Sequence, residues 1–331
     1  MREGVQMIEN KDPISQFYYN SKNPQYLKML YFCEKAAKSN SNILLIGESG
    51  SGKEVAARYI HHHSKRKNEP LVSINCSSYT ESLLESELFG YEEGAFTGAL
   101  KKKRGKIETS DKGTLFLDEI GDLSLLTQIK LLRTIENKKI QRIGSNKEQS
   151  VDFRLITATN IDLADAVSNQ QFREDFFYRI STIVIRVPSL RERKEDLSDL
   201  IDYMLTKSQE EHDIEITDIC PEVKEFLMTY SYPGNIRELK NLLDRMVVLS
   251  HNGVITKDGL PIMHSIKATN TIGNHHQFNT IVPMKEFKKD AEKAYLLWIL
   301  NQFDGHVGDT AKALEVTPRY IQYKKNDYNI K

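Results

Sequence analysis

The segment ILLIGESGSGKE, residues 43–54, constrains the fold more than any other part of the chain. It has the G-x-x-x-x-G-K spacing between an apolar, strand-like run and a helix-patterned segment. Glycines let such a backbone turn tightly, so that its N–H groups converge on phosphate oxygens at a helix N-terminus. A Gly/Ser turn without chemical role is the alternative, which the strand–loop–helix context disfavours. The predicted nucleotide-binding residues here are Gly47, Glu48, Ser49, Gly50, Ser51, Gly52, Lys53 and Glu54.

Two acids at the end of a later apolar run complete this prediction. Lys53 would reach the β and γ phosphates of ATP, but Glu54 stands where Ser or Thr usually ligates Mg²⁺. The run GTLFLDEI supplies the missing carboxylates at the carboxyl edge of a strand, where open α/β sheets bind ligands. We expect Asp118 to hold Mg²⁺ and Glu119 to polarise the attacking water. The alternative is a strand that leaves the sheet through two solvated acids.

The pattern between residues 26 and 188 predicts an α/β fold. Short apolar runs rich in β-branched residues alternate with longer segments whose apolar residues recur at helical spacing. Such runs are typical of strands buried on both faces of a parallel sheet that is covered by helices. The predicted strands are residues 42–47, 71–75, 114–119, 153–159 and 182–187.

The remaining chain divides by composition. Residues 1–25 are polar and aperiodic, and they read as an N-terminal extension. Strand patterns stop after residue 188, and residues 189–262 predict an all-helical subdomain. A polar, aperiodic linker over 263–282 precedes a second helical domain over 283–331.

Composition excludes several classes of protein. Lys plus Arg and Asp plus Glu both number 46, so no global field attracts nucleic acid or membrane. Three scattered cysteines argue against a disulfide framework or a zinc site, and no run suits a membrane span. We therefore expect a cytoplasmic protein. The run His61–His63 does not predict a metal site, because consecutive helical residues point about 100° apart.

A glycine-rich stretch, GYEEGAFTGALKKKRG at residues 90–105, carries an aromatic side chain where a turn needs none. It holds four of the chain's 17 glycines, and Phe96 and Thr97 lie between two of them. Glycines at such positions can act as hinges. A surface contact made by Phe96 and Thr97 is one interpretation, and a loop whose phenylalanine folds back onto its own domain is the other.

With the hexapeptide GAFTGA at residues 94–99, the chain resembles the bacterial enhancer-binding proteins, AAA+ ATPases that activate RNA polymerase holding sigma-54. The resemblance runs from about residue 27 to the C-terminus, and the GESGSGKE and GTLFLDEIGDL segments are similar to the Walker A and B motifs of that family, including the glutamate at position 54. It implies that the loop contacts sigma-54 and moves with nucleotide state. The implied contact residues are Gly94, Ala95, Phe96, Thr97, Gly98 and Ala99.

The resemblance implies further roles around the nucleotide. Asn75 corresponds to a residue that hydrogen-bonds Glu119 in one nucleotide state, and Thr159 and Asn160 correspond to sensor I. Arg173 and Arg179 correspond to arginine fingers that reach a neighbouring subunit, which implies a hexameric ring. From the sequence alone, a solvated helix face with these arginines paired to Glu174 and Asp175 is the alternative. The implied sensor II residue of the helical lid is Arg237.

The C-terminal segment VGDTAKALEVTPRYIQYKKNDYNIK predicts a helix-turn-helix, with Thr317 as the N-cap of the second helix. It resembles the Fis-type domain that ends the chains of this family, although Glu315 replaces the usual turn glycine and Asp309 and Asp327 dilute the charge. A small helical dimerisation module is the alternative; Trp298 would lie in the core beneath it. The predicted DNA-binding residues are Thr317, Arg319, Tyr320, Gln322, Tyr323, Lys324 and, on the same helix, Lys325.

These predictions together describe an ATP-driven, DNA-bound activator that opens promoter complexes of RNA polymerase holoenzyme containing sigma-54. The expected partners are sigma-54, RNA polymerase, enhancer DNA and further copies of the chain. Members of the family usually carry an N-terminal sensory domain, and the short extension predicts that this chain lacks one. A different AAA+ remodelling protein and a repressor that uses ATP only as a ligand are the alternatives, which the intact hexapeptide disfavours.

Overall fold

The structure, a computed structural model, describes residues 21–260, 284–303, 306–314 and 316–328. Residues 1–20 of the predicted extension, the predicted linker and Glu315 of the predicted turn lie outside these ranges. The chain divides into two compact units between Gly259 and Leu260. Within the described ranges, no helix has both the length and the apolar character that crossing a bilayer requires.

A five-stranded parallel sheet forms the centre of the first unit. The strands, in chain order, are β1 (Ile43–Ile46), β2 (Leu71–Asn75), β3 (Gly90–Tyr91), β4 (Lys103–Arg104), β5 (Thr114–Asp118), β6 (Lys139–Gln141), β7 (Glu148–Ser150), β8 (Arg154–Thr159), β9 (Ile183–Arg186), β10 (Asp218–Ile219) and β11 (Val254–Ile255). The central sheet has the order β2–β5–β8–β1–β9, and all its pairs are parallel. Its five strands coincide with the five predicted apolar runs, and the predicted α/β fold is confirmed.

The prediction that every strand is buried on both faces is wrong for the two edge strands. Val184 of β9 is 50% exposed and Val72 of β2 is half-buried, whereas every residue of β8 is buried. The physical reason is position, because an edge strand has a neighbouring strand on one side only and less of its surface is covered.

Helices cover both faces of the sheet. The helices are α1 (Pro24–Ala37), α2 (Lys53–His62), α3 (Glu81–Phe89), α4 (Lys106–Thr109), α5 (Leu125–Asn137), α6 (Leu163–Ser168), α7 (Glu174–Ile180), α8 (Leu197–His212), α9 (Pro221–Thr229), α10 (Asn235–Val248), α11 (Met284–Gln302), α12 (Val307–Ala313) and α13 (Pro318–Asp327). Leu45 and Phe116 pack with α1 and α2 on one face, while their neighbours Leu44 and Leu117 pack with α3, α5 and α7 on the other. This alternation follows from the two-residue period of a strand.

The helical part after the sheet, which we call the lid, contains α8, α9 and α10. The prediction that it is all-helical is wrong in one respect, since β10 and β11 form a short parallel pair. Two-residue strands are too short to produce a detectable hydrophobic period. The lid core includes Leu200, Val223, Leu239 and Leu243, all of which are buried.

The second unit packs α11, α12 and α13 around a small core of its own. Ala311 and Ile321 are buried between the helices, and the partly buried Trp298 packs against the same cluster. Thr317 caps α13, because its hydroxyl oxygen accepts a hydrogen bond from the Tyr320 N–H at 3.2 Å, and Pro318 occupies the first turn. The arrangement of two short helices over a longer one agrees with the predicted helix-turn-helix.

Candidate functional site

Chemically useful side chains converge at the carboxyl edge of the central sheet. Asn75 ends β2 and is the register partner of Asp118 at the end of β5. Thr159 ends β8 and is the register partner of Ile46, after which β1 continues into the glycine-rich loop. Parallel strands end at the same edge, so residues distant in sequence become neighbours there.

The P-loop, residues 47–54, has a conformation that requires its glycines. Gly50 and Gly52 have φ angles of +73° and +101°, a region that side chains disfavour. A Cβ on Gly47 would lie 2.7 Å from the Val187 carbonyl oxygen, and one on Gly50 would lie 2.4 Å from that of Gly234. The loop is therefore held between the segment that follows β9 and the start of α10. Helix α2 begins at Lys53, within this loop, so the free N–H groups of its first turn face the loop.

Lys53 is buried inside this loop. Its ammonium group donates hydrogen bonds to the carbonyl oxygens of Gly47 at 2.9 Å and Glu48 at 3.2 Å, and lies 3.8 Å from Glu119 Oε1. Burial lowers the pKa of Lys53, although the carboxylates of Glu119 and Asp118 oppose this shift. Burial likewise raises the pKa of Glu119, and Lys53 opposes that shift. Desolvation thus outweighs the attraction between the two groups, and a phosphate beside Lys53 would favour its charged form.

The backbone of Glu119 is strained. Its φ of 52° and ψ of 51° lie in the left-handed region, which costs a residue with a side chain about 1–3 kcal/mol. The Glu119 N–H donates to Asp118 Oδ1 at 3.0 Å, and the backbone N–H of Asn160 hydrogen-bonds the Glu119 carboxylate. Strain of this kind is common at functional sites. Here it occurs where two adjacent carboxylates follow one another at the end of β5, and oxygen ligands of this type suit Mg²⁺.

Three predicted polar residues make local contacts in this structure. The Asn75 carboxamide oxygen accepts hydrogen bonds from the N–H and the hydroxyl group of Ser77, at 2.9 and 2.7 Å, where the resemblance implies a bond to Glu119. Asn75 caps the 3₁₀ turn Cys76–Ser78, which accounts for this orientation. The buried Thr159 hydroxyl accepts from the Ile161 N–H at 3.2 Å. Glu54 pairs with Arg58 on the exposed side of α2 at 2.8 Å, so its carboxylate points away from Lys53.

The lid contacts the P-loop directly. Arg237 donates a hydrogen bond from Nη1 to the Ser49 hydroxyl group at 2.9 Å, so the predicted sensor II residue does lie beside the loop. Two further residues, Asn235 and Arg191, also contact the loop, although no sequence pattern singles them out. Asn235 is completely buried and contacts Glu48 and Ser49, and Arg191 forms an ion pair with Glu48. The positive φ of Asn235 could not be read from the sequence.

The two predicted arginine fingers lie at opposite ends of α7. Arg173 forms an ion pair with Asp175, at 2.7 and 3.0 Å, which is one of the pairs that the solvated-face alternative predicted. The exposed Arg179 has no ion pair within the described part of the chain. Its carbonyl oxygen accepts a hydrogen bond from Asn42 at 2.8 Å, which fixes the end of the helix.

The loop at residues 94–99 has a rigid base and an open tip. Gly90 and Gly105 face each other at the base, where a Cβ on Gly90 would lie 2.5 Å from the Gly105 nitrogen. Gly94 and Gly98 have φ of +79° and +107°, and a Cβ on either would have no described atom within 4 Å. The Gly94 N–H donates to the Ala99 carbonyl oxygen at 2.9 Å and closes the loop.

The side chains at the tip are exposed but not isolated. Phe96 is 46% exposed, and its ring meets that of Tyr91 edge-on with centroids 4.9 Å apart. Thr97 is exposed, whereas Ala99 is buried. The structure therefore combines both interpretations of this stretch, because Phe96 leans on the base of its own loop and still offers about half of its surface.

The neighbouring hairpin β6–β7 supports the base of this loop. Arg142 pairs with Glu92 at 2.7 Å and, through a bidentate contact, with the buried Glu108 at 2.8 Å. A Cβ on Gly144 would lie 2.7 Å from the Cβ of Ala95, so the hairpin packs closely on the loop. The loop base and the hairpin thus form one supported surface.

The second unit exposes most of the predicted DNA-binding residues. Arg319, Tyr320, Gln322 and Tyr323 are exposed on α13. Lys324 differs, because it pairs with Glu292 of α11 at 2.8 Å and contacts the Tyr328 hydroxyl group at 3.1 Å.

Glu292 is the centre of this small network. It also accepts a hydrogen bond from the Tyr320 hydroxyl group at 3.1 Å. Its hydrogen bond to Lys324 is the main cause of the raised pKa of that lysine. One of the predicted phosphate-binding cations is thus engaged by an acid within the unit.

Comparisons with known proteins identify the family of the chain. Residues 19–186 match the family described as the sigma-54 interaction domain, and residues 191–276 match the AAA+ ATPase lid domain. The chain is 41% identical over 312 residues to the transcriptional regulatory protein ZraR of Klebsiella oxytoca, covering 94% of this chain and 69% of the relative. It is 39% identical over 302 residues to the Nif-specific regulatory protein of Azotobacter vinelandii, covering 89% of this chain and 56% of the relative. The crystal structure of NtrX from Brucella abortus in complex with ATP matches with a TM-score of 0.69 and 31% identity, covering 94% of this chain and 69% of that one.

Substitution of Lys53 tests the site directly. We expect Lys53→Ala to lose measurable binding of a fluorescent ATP analogue, because the substitution removes the buried ammonium group that would contact the phosphates. The matched control is Lys67→Ala, which removes an exposed lysine from the turn after α2. Wild-type affinity in Lys53→Ala would show that the nucleotide binds elsewhere.

Proposed function

The chain belongs to the family of the sigma-54 interaction domain, and from that premise we propose how its ATPase activity drives transcription activation. It is an ATPase and a sigma-54-dependent transcriptional activator. We propose that hydrolysis in a ring of protomers moves the loop 94–99 against sigma-54 and converts closed promoter complexes into open ones. The observation that carries this proposal is the glycine-hinged, exposed tip on a rigid base in the same unit as the P-loop.

In the proposed reaction, the P-loop N–H groups and Lys53 hold the phosphates of ATP. Mg²⁺, held by Asp118, would neutralise charge on the phosphate oxygens. Glu119 orients and deprotonates the attacking water, and its raised pKa suits a general base. Asn75 exchanges its contact with Ser77 for one with Glu119 when the nucleotide state changes. The first contact is the one observed here.

The proposed ring gives Arg173 and Arg179 a role between protomers. The exposure of Arg179 at the end of α7 supports this role, because a guanidinium group must be accessible to reach a neighbouring nucleotide. Arg173 would exchange Asp175 for phosphate, a comparable charge-assisted partner. We propose a hexamer as the active assembly.

A mixing experiment tests whether the arginines act between protomers. Arg179→Ala should lower the ATPase rate by about 10³-fold or more, the loss typical of an arginine finger. Lys53→Ala should also be inactive, because it cannot bind ATP. A mixture of the two should regain activity, because a Lys53→Ala protomer can supply Arg179 to a neighbour with an intact P-loop. If the mixture stayed as inactive as its components, although light scattering showed that it assembles, the role of Arg179 between protomers would be contradicted.

If the loop contacts sigma-54, a change at its tip should leave ATP hydrolysis intact and remove transcription activation. Thr97 lies at the exposed tip, away from the packed base, so its removal leaves the P-loop side of the unit unchanged. We propose that Phe96 and Thr97 make the contact with sigma-54 and that the glycines on either side allow the tip to rise.

We expect Thr97→Ala to hydrolyse ATP near the wild-type rate and to lose both capture of sigma-54 and formation of open complexes. The measurements are phosphate release, co-purification with sigma-54 in the presence of a transition-state mimic of ATP, and permanganate footprinting of a sigma-54 promoter. Thr229→Ala, which removes an exposed threonine at the end of α9, is the control substitution. Equal loss of hydrolysis and activation in Thr97→Ala would make the loop a structural element.

The second unit is the proposed anchor on enhancer DNA. Its exposed helix α13 offers guanidinium and amide groups for base edges and hydroxyl groups for phosphates, all on one element. RNA polymerase holoenzyme is the proposed target of the bound ring, and we infer a cytoplasmic location because that enzyme works there. The engaged Lys324 suggests that Glu292 limits the non-specific part of the affinity.

The contribution of Glu292 can be measured. We expect Glu292→Gln to bind DNA of any sequence more tightly and to steepen the salt dependence by roughly one counterion, because Lys324 becomes available to a phosphate. Glu222→Gln is the matched control, since Glu222 pairs with Lys257 in the lid at 2.9 Å. If both substitutions changed the DNA affinity equally, the effect would come from net charge and not from the release of Lys324.

A further inference from the structure

Asn235, at the first turn of the lid helix α10, makes three hydrogen bonds to two separate segments. Its carboxamide oxygen accepts from the Leu190 N–H at 2.8 Å. Its carboxamide nitrogen donates to Glu48 Oε2 at 3.1 Å and to the Ser49 carbonyl oxygen at 3.0 Å. The side chain is completely buried, so water does not compete for these bonds. One amide therefore joins the P-loop, the entrance to the lid and the lid helix.

The choice of asparagine at this position follows from both backbone and bonding. Asn235 has φ of +56°, a conformation that glycine and asparagine tolerate best. Glycine would satisfy the backbone but would make none of the three bonds. Aspartate would keep the bond from Leu190 but would set a carboxylate against two acceptors, Glu48 and Ser49. Asparagine satisfies all of these requirements together.

Glu48 is held from a second direction. Arg191, which precedes the lid, makes a bidentate contact with the same carboxylate, one bond being 2.8 Å. The hydrogen bond from Arg191 is the main cause of the lowered pKa of Glu48, with a further contribution from Asn235. Glu48 is thus ionised, and its position depends on the lid entrance and on the lid helix.

Backbone contacts extend this dependence to the rest of the loop. The Ile236 N–H donates to the Gly50 carbonyl oxygen at 3.1 Å, and no side chain fits between Gly50 and Gly234. The residues Glu48–Gly50 therefore follow any displacement of the first turn of α10. Their N–H groups belong to the segment that receives the phosphates.

From this geometry we propose that Asn235 is a positioning residue that makes the shape of the P-loop, and hence the affinity for the nucleotide phosphates, depend on the orientation of the lid. It acts through Glu48 and Ser49 and does not touch the nucleotide. By linkage, nucleotide binding favours the lid orientation in which these bonds are made. The proposal rests on the ATPase activity and is independent of sigma-54, the ring and DNA.

The test replaces the hydrogen-bond-donating amide group of Asn235 with a carboxylate, in the full chain. We expect Asn235→Asp to raise the Kd of a fluorescent ATP analogue about tenfold or more, because it replaces two donated bonds with repulsion. The KM for ATP should rise in parallel while kcat changes less, since the lost interaction supports ground and transition states alike. Adding Glu48→Gln should recover part of the lost affinity, because the glutamine amide can donate to the new carboxylate, while the repulsion from the Ser49 carbonyl oxygen remains.

Controls separate this outcome from general destabilisation. Asn169→Asp adds the same charge at an exposed site and should leave the Kd unchanged. Should Asn235→Asp fail to fold, Asn235→Gly keeps the backbone conformation and should still weaken binding. Additive effects of Asn235→Asp and Glu48→Gln, or wild-type affinity in a folded Asn235 variant, would overturn the proposal. Because the readout is nucleotide binding, failure of the loop proposal leaves this result intact.

Discussion

The close backbone contact on both sides of the P-loop is the constraint on which the rest of this molecule depends. Gly47 meets the carbonyl group of Val187, and Gly50 meets that of Gly234, each at a distance that excludes a side chain. The loop is consequently shaped by the sheet and by the lid at once. Burial of Lys53 follows, since the helix that begins there is pressed against the same loop. The loop that would receive the phosphates is therefore also the segment that contacts the lid.

Burial also explains why the site favours a nucleotide. The Lys53 ammonium group lies 3.8 Å from the Glu119 carboxylate, and burial shifts the pKa of each group in the direction that favours its neutral form. The ammonium group is bonded to two loop carbonyl oxygens, which carry only partial charge. A triphosphate supplies full negative charge at that position, so binding relieves a desolvation cost that the fold already bears. The left-handed backbone of Glu119 keeps its carboxylate at the edge where this charge would lie.

Residues whose roles depend on local pattern could be predicted from the sequence, and those whose partners are distant could not. The five strands, the P-loop and the Thr317 cap follow from periodicity, glycine spacing and capping preference. The position of Arg237 beside the P-loop is implied only by the family resemblance. The exposure of Val184 depends on strand order, which periodicity does not contain. The pairs Asn235–Glu48 and Lys324–Glu292 join residues 187 and 32 positions apart, and no spacing rule connects them. The sequence does not distinguish the two interpretations of Arg173, because Asp175, two residues away, pairs with its guanidinium group within one chain.

The chain also offers a continuous physical route from the proposed chemistry to the loop. Asn75 caps the turn Cys76–Ser78, α3 begins three residues later, and α3 ends at Phe89, directly before Gly90 of the loop base. In the proposed mechanism, Asn75 turns from Ser77 towards Glu119 and releases that cap. A nine-residue helix is about 14 Å long and moves as a rod, so a small change at one end displaces the other. In the proposed mechanism the packed base would transmit this displacement to the loop. The tip has open space around Gly94 and Gly98, so it can rise at the cost of the Phe96–Tyr91 contact, about 0.5–1.5 kcal/mol, and of the contact between Ala95 and Gly144. The glycines at the base and at the tip thus serve opposite purposes. Those at the base allow close backbone packing, and those at the tip allow movement.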